Sequence, residues 1–109
     1  MALVYHLLKP QDWELALQKG VYAPASLHTE GFIHCSTQAQ VPLSAARFFE
    51  GEETLVVLGI SEKVLGKTLR WEPAASGELF PHVYGKLPIE WVADTYMLLR
   101  NKDGAWEWV

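Results

Sequence analysis

The sequence predicts an α+β fold with a largely antiparallel or mixed β-sheet. Two helical patterns lie in the first half of the chain, whereas strand-like segments run through its whole length. The second half has no helices to alternate with its strands, which argues against a doubly wound parallel sheet. A length of 109 residues is that of one domain, and we expect residues 1–109 to form a single unit.

The first half begins with a strand over residues 2–8 and a helix that starts at Pro10 and stops at Gly20. The predicted apolar face of this helix consists of Trp13, Ala16 and Leu17. Residues 21–31 are rich in turn formers. A short strand over residues 32–35 follows, with Ser36 or Thr37 as the cap of a second helix. We expect one face of that helix to carry Val41, Ala45, Phe48 and Phe49.

The second half opens with the clearest buried strand, the apolar run at residues 53–60. Another strand is predicted at residues 68–72, followed by a loop. Residues 79–88 are extended but interrupted by two prolines. The last two strands, residues 91–99 and 105–109, flank an Asp-Gly pair that is typical of a hairpin turn.

Composition and charge narrow the classes of partner. Half of the residues are hydrophobic, enough for a compact core, and the formal net charge is −4. No basic cluster is present to grip a phosphate backbone, so we expect no long nucleic acid as a partner. The N-terminus resembles neither a signal peptide nor a membrane span, and the single cysteine fits a cytoplasmic location. Monomer and homodimer both remain open, because the C-terminal strand is a possible pairing edge.

The stretch "EGFIHCST" ends a strand in polar and reactive side chains. Strand alternation places Phe32, His34 and Ser36 on one face and Ile33 and Cys35 on the other. Functional groups are often presented at the ends of strands, which makes His34 and Ser36 candidate site residues. Cys35, beside Ile33, is expected to be a small buried hydrophobe rather than a nucleophile.

A histidine also interrupts the apolar first strand, in "LVYHLL". A buried imidazole needs partners for both ring nitrogens. His6 is therefore either a core histidine bonded to a backbone carbonyl or a functional group, and the sequence leaves both open.

Two segments in the second half add further candidates. If "ELFPHVYG" is extended, Phe80, His82 and Tyr84 share a face that could hold a flat ligand, although a loop covering the core is the alternative. Arg70 and Glu72 alternate on a predicted strand. They are either an exposed ion pair or a carboxylate and its cation in a cleft.

Two generic sites can be assembled from these residues. Zinc ligands are available in His6, His34, His82 and Glu72, but no short ligand spacing supports them, and no metal is predicted. A triad of Ser36 with a histidine lacks the sharp Gly-x-Ser-x-Gly turn. Both sites therefore rest on residue types alone.

The motifs "YHLL", "SLHTEGFIHCS" and "LFPHVYG" resemble a small bacterial family catalogued as domain of unknown function 952. More distantly, the layout is similar to the ADP-ribosyltransferase superfamily, in its RNA 2′-phosphotransferase branch. That resemblance implies a compact split β-sheet with two helices in the N-terminal half. It also implies a cleft between two sheets that holds NAD or an ADP-ribose derivative.

The same resemblance implies roles for individual residues. His6 would bond a ribose hydroxyl, and Tyr22 or Tyr84 would stack on the nicotinamide. His34 and His82 would orient the acceptor or stabilise charge as the glycosidic bond opens, with Ser36 beside them. Arg70 and Glu72 complete the implied pocket for transfer of ADP-ribose or a phosphate. A non-enzymatic module for a small metabolite or peptide, and a metal-dependent hydrolase, are the alternatives.

Overall fold

The structure, a computed structural model, describes residues 2–109. Its strands are β1 (Leu3–Leu8), β2 (Val21–Tyr22), β3 (Ile33–His34), β4 (Thr54–Ser61), β5 (Leu69–Pro73), β6 (Leu79–Val83), β7 (Leu87–Pro88), β8 (Val92–Arg100) and β9 (Trp106–Trp108). Its α-helices are α1 (Pro10–Lys19), α2 (Ser26–Thr29), α3 (Val41–Phe48) and α4 (Glu62–Leu65). Single 3₁₀ turns occupy Gly66–Thr68 and Ile89–Trp91.

The strands form three sheets in which every pairing is antiparallel. The largest has the order β1-β4-β8-β9, a second has the order β3-β6-β5, and β2 pairs with β7. The predicted combination of helices with a largely antiparallel sheet, the α+β class, is therefore confirmed. No helix within residues 2–109 has the length and apolar character needed to cross a bilayer.

Residues 33–36 join the two larger sheets. The segment pairs with β6 as far as Cys35, whose backbone N–H donates to the carbonyl of Pro81. Ser36 then exchanges two backbone hydrogen bonds with Tyr5 at the edge of β1. A single short segment thus brings the end of β3 against the middle of β1.

Side-chain alternation along β1 divides the core into two clusters. The first packs between the two larger sheets and α1, and its members include Val4, Leu8, Ala16, Ile33, Cys35, Leu58 and Val83. The second packs under α3, and its members include Tyr5, Leu7, Val41, Ala45, Leu55, Leu98 and Trp106. Burial of Cys35 among apolar side chains confirms its prediction as a small core hydrophobe.

Several predicted helix details are wrong. The second long helix begins at Val41, not after Ser36 or Thr37, because Ser36 is held in extended pairing with Tyr5. The Thr37 hydroxyl instead accepts from the backbone N–H of Gln40, in the turn that precedes the helix. The short helices α2 and α4 were not predicted, since four residues are too few to show helical periodicity.

Two residues assigned to apolar helix faces are exposed. Leu17 is about half exposed, because α1 buries Ala16 and only partly covers Trp13. Phe48 is 65% exposed because the last turn of α3 faces a cleft rather than the sheet. An exposed aromatic at a cleft is a feature that periodicity alone does not reveal.

Candidate functional site

One face of the β3-β6-β5 sheet collects most of the predicted site residues. The register places His34 opposite His82, and His82 opposite Arg70 on the other side. Residues directly opposite in antiparallel strands point to the same face, and so do alternate residues along each strand. The predicted face made of Phe80, His82 and Tyr84 is therefore present, and Phe32, His34, Arg70 and Glu72 extend it.

His82 is held by a carboxylate. Its Nδ1 lies 2.7 Å from Oε1 of Glu72, and the hydroxyl of Tyr84 donates to the same oxygen at 2.6 Å. A carboxylate oxygen only accepts, so His82 donates from Nδ1, and in the neutral form of the ring the lone pair lies on Nε2. The bonds from Tyr84 and His82 lower the pKa of Glu72, and the bond to Glu72 raises the pKa of Tyr84.

His34 is held by a second carboxylate. Its Nε2 lies 2.8 Å from Oε2 of Glu30, in a pair that is about half exposed on both sides. Glu30 follows α2, and Gly31 then takes a φ of 90°, which a residue with a Cβ rarely adopts. That turn carries the chain from α2 into β3 and leaves Glu30 and His34 facing each other. Glu30 and Glu72 therefore each point at an imidazole.

Phe32 contacts both imidazoles. Its ring is stacked on His82, with centroids 4.0 Å apart and planes 16° from parallel, and lies 4.8 Å from the ring of His34. The two imidazole centroids are 5.5 Å apart, in an edge-to-face arrangement. Phe32 was not predicted as a site residue, although strand alternation already placed it on the face of His34.

His6 is a fully bonded core residue. Its Nδ1 donates to the carbonyl of His34 at 2.6 Å, and its Nε2 accepts from the hydroxyl of Tyr22 at 2.8 Å. Burial lowers the pKa of His6 to about 4, so its ring is neutral at pH 7. Burial also raises the pKa of Tyr22. Of the two readings of His6, the structure supports the core histidine bonded to a backbone carbonyl, because neither ring nitrogen is left for a ligand.

A cleft of about 970 Å³ lies between the β3-β6-β5 sheet, β1 and α3. Seven of the predicted or supporting residues line it: His6, Tyr22, Glu30, His34, Ser36, Phe80 and His82. The wall from α3 contributes Leu43, Ser44, Ala46, Arg47 and Phe48. The structure therefore brings the three candidate histidines to one cavity from β1, β3 and β6.

Two generic sites considered from the sequence are not formed. Among residues 2–109, no three histidine, cysteine or acidic side chains are grouped as metal ligands. The hydroxyl of Ser36 bonds to Ser44 at 2.8 Å rather than to a histidine, which removes the serine triad. Burial raises the pKa of Cys35 to about 12, so its thiol stays protonated although it borders the cleft.

Arg70 and Tyr84 lie outside the lining of the cleft. The guanidinium carbon of Arg70 is 4.8 Å from the centroid of the Tyr84 ring, in a cation–π contact. Tyr84 in turn bonds Glu72 and contacts Phe32. Of the two tyrosines considered for stacking, only Tyr22 lines the cleft, whereas Tyr84 contacts Glu72, the carboxylate that bonds His82.

Comparison with known proteins gives the family. A sequence model described as "Protein of unknown function (DUF952)" matches residues 7–95. The chain belongs to the DUF952 family. The predicted resemblance to this family is therefore confirmed, and the matched range includes every candidate residue of the cleft except His6.

Solved structures of another protein share this DUF952 fold. The crystal structure of protein CC0527 from Caulobacter crescentus is 33% identical, with a TM-score of 0.88 over 97% of this chain and 94% of that one. Its structure determined by NMR in solution is 34% identical, with a TM-score of 0.83 over 96% and 91% of the two chains. No curated protein matches the chain.

Proposed function

We propose that the cleft binds a nucleotide of NAD or ADP-ribose type, that His34 orients it and that His82 accepts a proton during its reaction. The observation that supports this proposal is the pair of carboxylate-held imidazoles 5.5 Å apart at the wall of one large cleft. A cavity of several hundred Å³ with a few convergent polar groups is typical of small-molecule sites. Histidine suits proton transfer because its charge changes near neutral pH.

His82 has the geometry of a general base. Glu72 fixes the Nδ1–H tautomer and the ring direction, so the Nε2 lone pair is available for a proton. The ring of Phe32 stacks on one face of the His82 ring, which limits rotation of the imidazole. In the transfer reaction, an acceptor hydroxyl attacks the ribose C1′ and gives its proton to His82 Nε2. The bond from C1′ to the nicotinamide nitrogen breaks, and nicotinamide leaves with the electron pair.

His34 is suited to bind and orient the ribose. Its Nε2–H is donated to Glu30, which leaves the Nδ1 lone pair of the neutral ring and the second carboxylate oxygen of Glu30 as acceptors for ribose hydroxyls. The half exposure of both groups leaves them accessible to a ligand. Since His6 bonds the backbone carbonyl of His34, it positions this residue and does not contact the ribose itself.

An apolar wall supports a second candidate, a module that binds a small metabolite or peptide without reaction. Leu43 is 74% exposed and Phe48 is 65% exposed, and both line the cleft. Exposed apolar side chains beside a cavity are a common feature of binding grooves. In that module the two imidazoles serve as hydrogen-bond donors and acceptors only.

Thermal unfolding with added nucleotide tests the proposal. We expect NAD or ADP-ribose to raise the melting temperature of the wild type, because a ligand that binds the native state stabilises it. His34→Ala and His82→Ala should lose this shift, while His28→Ala, a change at an exposed histidine outside the cleft, should keep it. Release of nicotinamide from NAD by wild type but not by His82→Ala supports the enzyme. The proposal is refuted if neither nucleotide raises the melting temperature of the wild type. It is also refuted if the rise is the same in His34→Ala and His82→Ala as in the wild type.

A further inference from the structure

The hydroxyls of Ser36 and Ser44 form a buried pair at the cleft wall. Their oxygens are 2.8 Å apart, the two residues are 5% and 8% exposed, and both line the cleft. Each hydroxyl has one hydrogen, and the bond between them uses only one of the two. Among residues 2–109, no other hydrogen bond uses the second hydrogen. The pair therefore offers one donor to whatever occupies this part of the cleft.

Arg47 supplies positive charge to the same wall. It lies three residues after Ser44 on α3, a spacing that places two side chains on neighbouring positions of one helix face. Its guanidinium carbon is 5.4 Å from the ring centroid of Phe48, and no carboxylate within residues 2–109 forms an ion pair with it. No other arginine or lysine of residues 2–109 lines the cleft.

The acidic side chains of the cleft belong to other elements. Asp12 comes from α1, Glu30 follows α2, and Glu78 lies in the β5–β6 turn. Glu30 and Glu78 already accept hydrogen bonds, from His34 and from Gln40 at 3.0 Å. The α3 wall itself carries only neutral and positively charged residues. It is thus the wall of the cleft that carries positive charge and no acidic side chain of its own.

We propose that Ser36, Ser44 and Arg47 form a subsite for phosphate groups. This inference rests on the proposed function and specifies which end of the nucleotide meets α3. A guanidinium presents several N–H donors in a fixed plane that matches phosphate oxygens, and charged hydrogen bonds of this kind are strong. The spare serine hydrogen adds a donor from a buried position, where competition from water is weak.

Titration with inorganic pyrophosphate, followed by backbone amide shifts, tests the subsite without a nucleoside. We expect the amides of Ser44 and Arg47 to shift on titration of the wild type. Arg47→Gln should weaken binding roughly tenfold, as expected for loss of one charged contact. Ser44→Ala should weaken it several-fold. Arg100→Gln, which removes the same charge away from the cleft, is the matched control and should leave binding unchanged.

Parallel titrations with ADP-ribose and adenosine separate this inference from the proposed function. Arg47→Gln should weaken ADP-ribose binding and leave adenosine binding unaffected. Because Arg47 is exposed, this variant tests the subsite even if Ser44→Ala fails to fold. The subsite is overturned if pyrophosphate does not bind the wild type. It is also overturned if pyrophosphate binds Arg47→Gln with the same affinity as the wild type. Pyrophosphate binding through Arg47 without any nucleotide binding would preserve the subsite and refute the proposed nucleotide function.

Discussion

His34 and His82 stand directly opposite each other in the β3–β6 pairing, with ring centroids 5.5 Å apart. Each imidazole is bonded by a carboxylate that comes from a different element, Glu30 after α2 and Glu72 in β5. Two oriented imidazoles at one cleft are more than core packing requires, because packing alone is satisfied by apolar residues at both positions.

Replacing Tyr84 by Phe should raise the pKa of Glu72 toward its ordinary value. The hydroxyl of Tyr84 is the main cause of the lowered pKa, because it donates to the ionised carboxylate and favours the charged form. A pKa that is lower in the folded state means that ionised Glu72 stabilises the fold above its ordinary pKa. This stabilisation is lost as the pH falls through the folded-state pKa. Carboxyl ¹³C shifts during an acid titration measure the change, and an unaltered midpoint in Tyr84→Phe contradicts it.

His6 should make the fold sensitive to mild acid. Its pKa falls from 6.5 to about 4 on folding, so between these pH values the unfolded chain binds a proton that folded His6 does not. The free energy of unfolding therefore decreases as the pH drops through this window. His6 contributes about 3 kcal/mol to this decrease.

His6→Gln is the matched variant for this prediction. A Gln amide can donate to the His34 carbonyl and accept from Tyr22 while it does not titrate. Urea unfolding from pH 7 to pH 4 should show that wild type loses about 3 kcal/mol more than His6→Gln. His6→Ala should be destabilised by about 2–5 kcal/mol at pH 7, since it leaves two buried partners unbonded. Equal pH dependence in wild type and His6→Gln would contradict the neutral, buried imidazole.

Sequence patterns predicted most of the face that carries the site. Alternation within "FIHCS" and "FPHVY" placed His34 and His82 correctly, because strands impose a period of two whatever their partners. The sequence did not reveal that these two segments pair with each other. Pairing is set by contacts between distant residues, so the register that puts His34 opposite His82 became visible only in the structure.

Local patterns were weaker guides where tertiary contacts decide the outcome. His6 was left open between two roles, and its hydrogen bonds to His34 and Tyr22 depend on residues 28 and 16 positions away. Ser44 and Arg47 were not singled out, because a serine and an arginine on a helix are usually solvated. Only the position of α3 across the cleft from β3 gives them a candidate role.

Replacing Phe32 by Leu should lower the free energy of unfolding by about 1 kcal/mol. The change keeps an apolar side chain but removes the stacked contact with His82, and aromatic pairs of this kind contribute about that amount beyond their burial. Phe48→Leu is the control, since Phe48 is largely exposed and should change stability by less than about 0.5 kcal/mol. Urea denaturation measures both. Equal effects at the two positions would show that the stack does not hold His82.

Cys35 should be unreactive in the native protein. Burial raises its pKa to about 12, so the thiolate that reacts with disulfide reagents is scarce at pH 8. We expect almost no labelling by a chromogenic disulfide at pH 8, and one thiol per chain once the protein is unfolded in guanidinium. Rapid stoichiometric labelling of the native protein would instead place Cys35 at an accessible position in the cleft.

The imidazole signals of the four histidines during titration with ADP-ribose test the central claim most directly. Carbon-bound ring protons report each histidine separately, and His28 lies outside the cleft. We predict that His34 and His82 shift together with one binding constant, that His6 keeps its Nδ1–H tautomer, and that His28 does not respond. Titration that leaves His34 and His82 unmoved, or that moves only one of them, would contradict a shared ligand site.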